Sequence, residues 1–317
     1  MVRTPLLLVA VALAAAACSS ATTTPPPTTR VAASTTAPTT TAPPSRPPFC
    51  DVRWEAEQVG VVQSSDLDEI SGATVSRQHP GVIWVHNDSG DDAAVYAVDI
   101  SGKNIAEVRF PDLSARDWED MALGPGPDAA LDYLYFGDIG DNQSSRADVL
   151  IHRIPEPAPA TGAVTGSETL RVTYPLGPME AETLLVDPIN GDIVIAGKSL
   201  SGITTLYSLA GDLDWSRSQE ATFVGEVRFG TFALATGGDA GTKRVVVRTY
   251  DEVFAWERRP GASLVETVLS PSCRVTTVSE QQGEAIALTP DELGFYTVSE
   301  GVNQPIFRYA DDRASGS

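Results

Sequence analysis

The chain has 317 residues, 42 of them acidic and 22 basic, for a net charge of −20 at neutral pH. Every acidic residue lies after Pro48, against 19 of the basic ones, so that part carries a net charge near −23. A surface of that sign excludes nucleic acid and anionic lipid headgroups as partners, because both require a positive face.

Residues 1–17 have the form of a secretory signal, with Arg3 for charge and Leu6 to Ala17 as the apolar run. The run is shorter than the roughly 20 residues that span a bilayer. It ends Ala15-Ala16-Ala17-Cys18, which resembles the lipobox of bacterial lipoproteins, although Ala15 stands where those usually carry Leu. The resemblance implies cleavage before Cys18, an acyl anchor (diacylglycerol, palmitate-type) on that residue, and the extracytoplasmic face of the cell membrane as the location. The membrane would be touched through the anchor alone. A plain secretory signal with an incidental Cys is the alternative. Residues 18–48 then reduce to Thr, Pro, Ala and Ser after the Cys. Such a tract cannot bury a core and is read as a disordered linker. Extended, it reaches up to roughly 90 Å.

From 49 to 311 one pattern recurs: a carboxylate, an apolar strand, a turn, a strand ending in polar residues, and a third strand ending near an aromatic. It starts at Glu69 (EISGATV), Glu119 (EDMAL), Glu182 (ETLLVDP) and Glu284 (EAIALTP). A fifth copy (RVVVRTY, EVFAWER) carries a hydroxyl, Thr236 or Thr231, in place of Glu. Repeats of about 50 residues with four short strands each predict an all-β fold, a β-propeller. Five four-stranded blades is the count, with six as the alternative if two blades are merged. The fourth strand of repeat four is read in LVETVL. The last repeat has only three strands of its own, so Arg53 to Val62 is expected to complete it and close the ring. Residues 312–317 are read as a disordered tail, and the protein as a monomer.

Three cysteines carry information in an exported chain. With Cys18 lipidated, Cys50 and Cys273 remain as a pair. Ring closure would bring the segment after Cys50 beside the last repeats, so a disulfide is expected between them. Two free buried thiols are the alternative.

In a propeller the innermost strands line a central channel, and their first residues gather at one rim. Glu69, Glu119, Glu182, Thr236 and Glu284 are therefore the candidate metal ligands. Like charges that converge need protons or a cation, and oxygen-only donors suit Ca²⁺ before Mg²⁺. Ordinary rim packing, with the Glu residues paired to Arg or to backbone N–H groups, is the alternative. The second strands return to the same rim and end in polar residues, which makes Asn87, Asp88, Asp138, Asp141, Asn142, Lys198, Arg248 and Glu300 the candidate ligand-binding residues. Lys198 and Arg248 could hold an anionic ligand beside a bound cation. His79, His86 and His152 have no metal-ligand spacing, and neither a P-loop nor a nucleophile elbow is present.

The combination DWEDMAL, YLYFGDIGDN and VRTY resembles a group of bacterial exported propellers, mostly without assigned activity. More distantly, an axial ion held by Glu from successive blades is similar to the five-bladed calcium-dependent apyrases, and propeller phytases likewise combine Ca²⁺ with Lys and Arg on one face. Three functions stay open. The first is an anchored binding module with an axial Ca²⁺ and a ligand mouth. The second is a Ca²⁺-dependent phosphoester or phosphoanhydride hydrolase, with Asp88, Asp138 or Asp141 as base. The third is an envelope scaffold whose partner is another protein.

Overall fold

The computed structural model describes Cys50, residues 53–88 and residues 90–311. Cys18 and the signal, linker and tail segments lie outside the described residues. Strand β1 (Trp54–Val61) opens the described domain but belongs to its last blade. Blade 1 is β2 (Ile70–Val75), β3 (Val82–Asn87), β4 (Ala94–Asp99) and β5 (Asn104–Arg109). Blade 2 is β6 (Trp118–Pro125), β7 (Asp132–Asp138), β8 (Val149–Pro155) and, after the two-residue β9 (Gly162–Ala163), β10 (Glu168–Thr173). Blade 3 is β11 (Ala181–Val186), β12 (Ile193–Gly197), β13 (Ile203–Leu209) and, past the short β14 (Gln219–Glu220), β15 (Thr222–Arg228). Blade 4 is β16 (Ala235–Ala240), β17 (Arg244–Thr249), β18 (Glu252–Glu257) and β19 (Cys273–Thr276). Blade 5 is β20 (Gly283–Leu288), β21 (Gly294–Ser299) and β22 (Pro305–Asp311), completed by β1.

The protein is thus an all-β propeller of five four-stranded blades. Antiparallel pairing of β1 with β22, from Trp54 opposite Asp311 to Val61 opposite Pro305, closes the ring where the sequence left the last repeat one strand short. Pairing the first strand with the last ties the two ends of the propeller together within one blade. The Cys50–Cys273 disulfide adds a covalent tie between the start of the domain and the outer strand of blade 4.

One sequence assignment is corrected. LVETVL is not a strand: Leu264–Val268 forms a short helix, α1. Ser263 caps it by accepting from the Glu266 N–H, while the Glu266 carboxylate accepts from the Ser263 N–H, a reciprocal capping box. The local cap outweighs the apolar pattern, and the outer strand of blade 4 is supplied by Cys273–Thr276 instead.

Stability comes from the seams between blades. Five apolar clusters each join side chains of two neighbouring blades. Between blades 1 and 2, for example, Trp84 and Val95 meet Trp118, Leu134 and Phe136, and Trp118 stacks on Phe136 at 4.5 Å between ring centroids. Buried ion pairs reinforce two other seams. Arg258 of blade 4 holds Asp187, just beyond the inner strand of blade 3, through Nη1 at 2.8 Å and Nη2 at 2.5 Å. Arg248 crosses from blade 4 to blade 5.

Candidate metal centre

The inner strands β2, β6, β11, β16 and β20 stand side by side around the channel. Each shifts register against its neighbour at one residue near its start: between Ile70 and Gly72, Trp118 and Asp120, Ala181 and Thr183, Ala235 and Gly237, and Gly283 and Ala285. The residue skipped is Ser71, Glu119, Glu182, Thr236 or Glu284. A β-bulge re-aims the side chain it carries, so these five positions are equivalent around the ring.

The sequence repeat located four of them. Glu69 lies two residues before the equivalent position; it is exposed, and Ser71 occupies the ring instead. Both hydroxyl members serve as inter-blade bonds: Ser71 Oγ donates to the Glu119 carbonyl at 2.5 Å, and Thr236 Oγ1 to the Gly283 carbonyl at 2.8 Å. A hydroxyl that has donated to a carbonyl is held to the seam, so Thr236 completes the ring as a bond between blades 4 and 5.

The three carboxylate members differ from these. Glu119, Glu182 and Glu284 are 3%, 5% and 6% exposed. Burial pushes all three up: Glu182 to about 8, Glu284 to about 7, and Glu119 well above the usual range. At Glu119 the next influences are all like charges, from Glu182, Asp88, Asp117 and Glu180. At Glu182 the Lys198 ammonium pulls back downward, bonded to Oε1 and lying 5.0 Å from the centre of the Tyr250 ring. Burial works against the Lys198 charge, but Glu182 and Tyr250 overcome it and hold the ammonium above its usual range. Glu284 accepts from the Gln282 side-chain amide at 3.2 Å.

Two triads of carboxylates converge at this mouth: Asp88, Asp117 and Glu119, and Glu119, Glu180 and Glu182. Within each, the ligand oxygens lie within 4.8 Å of one another, and the acidic groups can hold a metal ion. Glu180 Oε1 and Glu182 Oε2 are buried and have no hydrogen-bond partner. Gly140 keeps the cluster tight, because a Cβ there would stand 2.1 Å from Glu119 Oε1 and 2.5 Å from Asp117 Oδ2. Asp117 and Glu180 were absent from the sequence-derived ligand set. Each lies two residues before a ring Glu, a spacing that on an extended chain returns a side chain to the same face.

The remaining candidates separate into groups. Asp88 is half-buried and joins a triad. Asp138 is sealed behind the rim: burial pushes its carboxyl up, but His152 and Arg146 outweigh that and bring it below the usual range, with Arg146 Nη1 at 2.8 Å. Asp141 folds its own turn, accepting from the Arg146 N–H at 2.7 Å, while its N–H donates to Glu180 Oε2 at 2.7 Å. Asn142 beside it is exposed. Glu300 accepts from Gln282, and burial and Glu69 raise its carboxyl. Asn87 belongs to a neighbouring groove.

Arg248 departs most from expectation. It is fully buried, with Nη1 donating to the carbonyls of Ala285 (2.9 Å) and Val298 (3.3 Å) and Nη2 to Glu280 at 2.8 Å. Its guanidinium lies in the seam between blades 4 and 5, where those carbonyls and the buried Glu280 carboxylate accept from it.

Asp120 was missed by sequence reasoning because it follows Glu119 directly and breaks no pattern. It is fully buried in the channel; Oδ1 accepts from the Met121 N–H at 2.9 Å, and Oδ2 from the N–H groups of Leu184 (2.9 Å) and Gly238 (3.0 Å). One carboxylate thereby ties blades 2, 3 and 4. Asp239 repeats the device between blades 4 and 5, accepting from Ala240 and Leu288 at 2.8 Å each.

No protein family and no curated protein matches the sequence. Among solved structures, the chain is similar to a gluconolactonase from Xanthomonas campestris, with TM-score 0.42 and 10% identity over 76% of this chain and 72% of that one. It is also similar to a putative glucose dehydrogenase from a Thermus species, with TM-score 0.43 and 10% identity over 81% of this chain and all of that one. The WD40 repeats of RRP9 give TM-score 0.42 and 9% identity over the same share of this chain and the whole of theirs.

Proposed function

We propose that this chain is a lipid-anchored, extracytoplasmic binding module whose channel mouth takes up a divalent cation, calcium before magnesium, and presents it to a ligand. The observation that carries the reading is the convergence of two carboxylate triads on Glu119, with buried oxygens of Glu180 and Glu182 left without partners. All the donors are oxygens, which suits a hard ion. The fit is best at blades 1 to 3, so Asp88, Asp117, Glu119, Glu180 and Glu182 are the ligands, and Glu284 and Lys198 border them. The anchor rests on the Cys18 boundary.

Binding is favoured over phosphate hydrolysis. An anionic substrate was to be met by Lys198 and Arg248, but Arg248 is spent on Glu280, and Asp138 and Asp141 already have partners. What remains at the mouth is strongly negative, and an anion could approach only through the bound ion. A small anionic ligand bridged by calcium, or an envelope protein docking on the loaded rim, is the partner this supports.

The test is metal analysis of the purified, exported protein, followed by thermal unfolding after chelation with Ca²⁺ and then Mg²⁺ added back. The expected result is bound calcium and a melting temperature that rises with Ca²⁺, an effect weakened by Glu182→Gln. Absence of metal together with melting indifferent to both ions would sink the reading.

A further inference from the structure

A small polar pocket of about 210 Å³ opens on blade 2 beside the first carboxylate triad. Asp117 belongs to both, lining the pocket and offering one of the oxygens grouped with those of Asp88 and Glu119. The rest of the wall is mostly made of donors. Arg116 is exposed, and among the described residues its guanidinium makes no salt bridge and no hydrogen bond. Arg146 lines the pocket at 7% exposure, its Nη1 held at 2.8 Å by both Asp138 and the Gly140 carbonyl. Asn142 and Gln143 are exposed, and their amides are likewise unengaged among the described residues. Asp141, the other carboxylate here, is occupied by its own turn, where it accepts from the Arg146 N–H at 2.7 Å. Asp117 is therefore the charge that opposes an anion in this pocket. A divalent ion on the triad would offset it and leave Arg116 unopposed.

We propose that this pocket seats the anionic partner of the loaded mouth, and that the partner is a small dicarboxylate. One carboxylate joins the ion beside Asp117; the other takes Arg116, with the Asn142 and Gln143 amides donating to it. The assignment rests on the cation reading of the mouth. A planar guanidinium matches the two oxygens of a carboxylate bidentately. It also balances a carboxylate's single charge, but leaves half of a phosphate dianion uncompensated. The volume falls below the range of roughly 300–1,000 Å³ for drug-sized ligands, so the ligand is small. Because Asp117 faces both sites, cation and dicarboxylate bind together, and each tightens the other by the same factor.

The experiment is calorimetric titration of the full chain with succinate, once with saturating Ca²⁺ and once with chelator, beside a titration with Ca²⁺ alone. Saturable one-to-one binding of succinate is expected with Ca²⁺, weaker by about tenfold or more with chelator. Arg116→Gln should lower the succinate affinity by about tenfold. Arg217→Gln, which removes an exposed arginine of blade 3, should leave it unchanged. If Ca²⁺ binds but succinate does not, or if the two variants lose affinity equally, the dicarboxylate site is overturned and the cation reading stands. If Ca²⁺ does not bind, both fall. Glycerol phosphate bound more tightly than succinate, with the same dependence on Arg116, would overturn the choice of a dicarboxylate.

Discussion

Two adjacent residues, Glu119 and Asp120, put buried carboxylates at two depths of one channel, and their surroundings could hardly differ more. Asp120 collects backbone N–H groups from three blades. Glu119 faces Glu182, Asp88, Asp117 and Glu180. Burial penalises both charges and holds both carboxyls well above the usual range, yet in the middle of the channel the ring supplies N–H donors that pull the other way, whereas at the mouth it supplies further like charges. A carboxylate that the fold has satisfied works for the fold, whereas a cluster left unsatisfied is available to something that arrives from outside. The hydroxyl members of the bulge ring, Ser71 and Thr236, sit on the first side of that division, although they share backbone geometry with the Glu residues.

The sharpest way to break this comparison is to remove each carboxylate in turn. Asp120→Ala would orphan N–H groups on blades 3 and 4, and we expect a loss of about 3 kcal/mol or more. Glu119→Gln should do the reverse in chelated protein above neutral pH, raising stability by roughly 1 kcal/mol as a repelling charge is lost. Chemical denaturation at pH 8 with chelator measures both. A loss of similar size at the two positions would mean that the mouth is packed for stability like the middle.

Adding a cation tests the same division from the other side. Calcium should stabilise the wild type by RT ln(1 + [L]/Kd), about 2.7 kcal/mol at 100 times Kd. Glu119→Gln should lose most of that gain, because Glu119 belongs to both triads.

Much of this molecule was legible beforehand. The five blades, the closure by β1 and the Cys50–Cys273 bond follow from a repeat in which each copy must bury its faces against neighbours and the last copy lacks a strand. The bulge ring was legible at Glu119, Glu182 and Glu284 because Glu recurs at one place in the copy, and at Thr236 because a hydroxyl stands at that place in the fifth copy. It failed at blade 1, where Glu69 offered the expected charge two residues early and Ser71 offered the expected position. Arg248 was misplaced because its strand-end location puts a polar group beside the rim without saying on which side of the sheet it lies. Asp120, Asp117 and Glu180 depend on which residues the twist of neighbouring blades brings together, and no single copy of the repeat contains that information.

The pH profile sharpens the contrast further. With folded values near 8 for Glu182 and 7 for Glu284, both hold protons more tightly in the folded protein than in the unfolded chain. Their contribution is full below the ordinary Glu range and is lost as pH rises through about 7 to 8. Chelated protein should therefore melt at lower temperature at pH 8 than at pH 6. With saturating Ca²⁺ the trend should flatten or reverse, since the ion binds only the deprotonated ligands. A chelated melting temperature flat across this window would mean that both carboxylates are already compensated.

The smallest effect concerns Lys198, and it separates two roles for the cation at the mouth. Its ammonium is bonded to Glu182 Oε1, while Oε2 has no partner. If the lysine is the fold's own counter-ion for this carboxylate, it competes with any arriving metal for Glu182, and the two positive charges repel within the same partly desolvated pocket. Lys198→Gln should then tighten calcium binding by roughly threefold to tenfold, a change of about 1 kcal/mol. The chelated protein should meanwhile lose a little stability as Glu182 gives up its partner. Calorimetric titration of the variant beside the wild type, at one fixed pH, reads the affinity directly. A weaker calcium affinity in the variant would assign Lys198 the opposite role, that of positioning Glu182 for the ion, and the mouth would then be a pre-organised site in which even the lysine serves the metal.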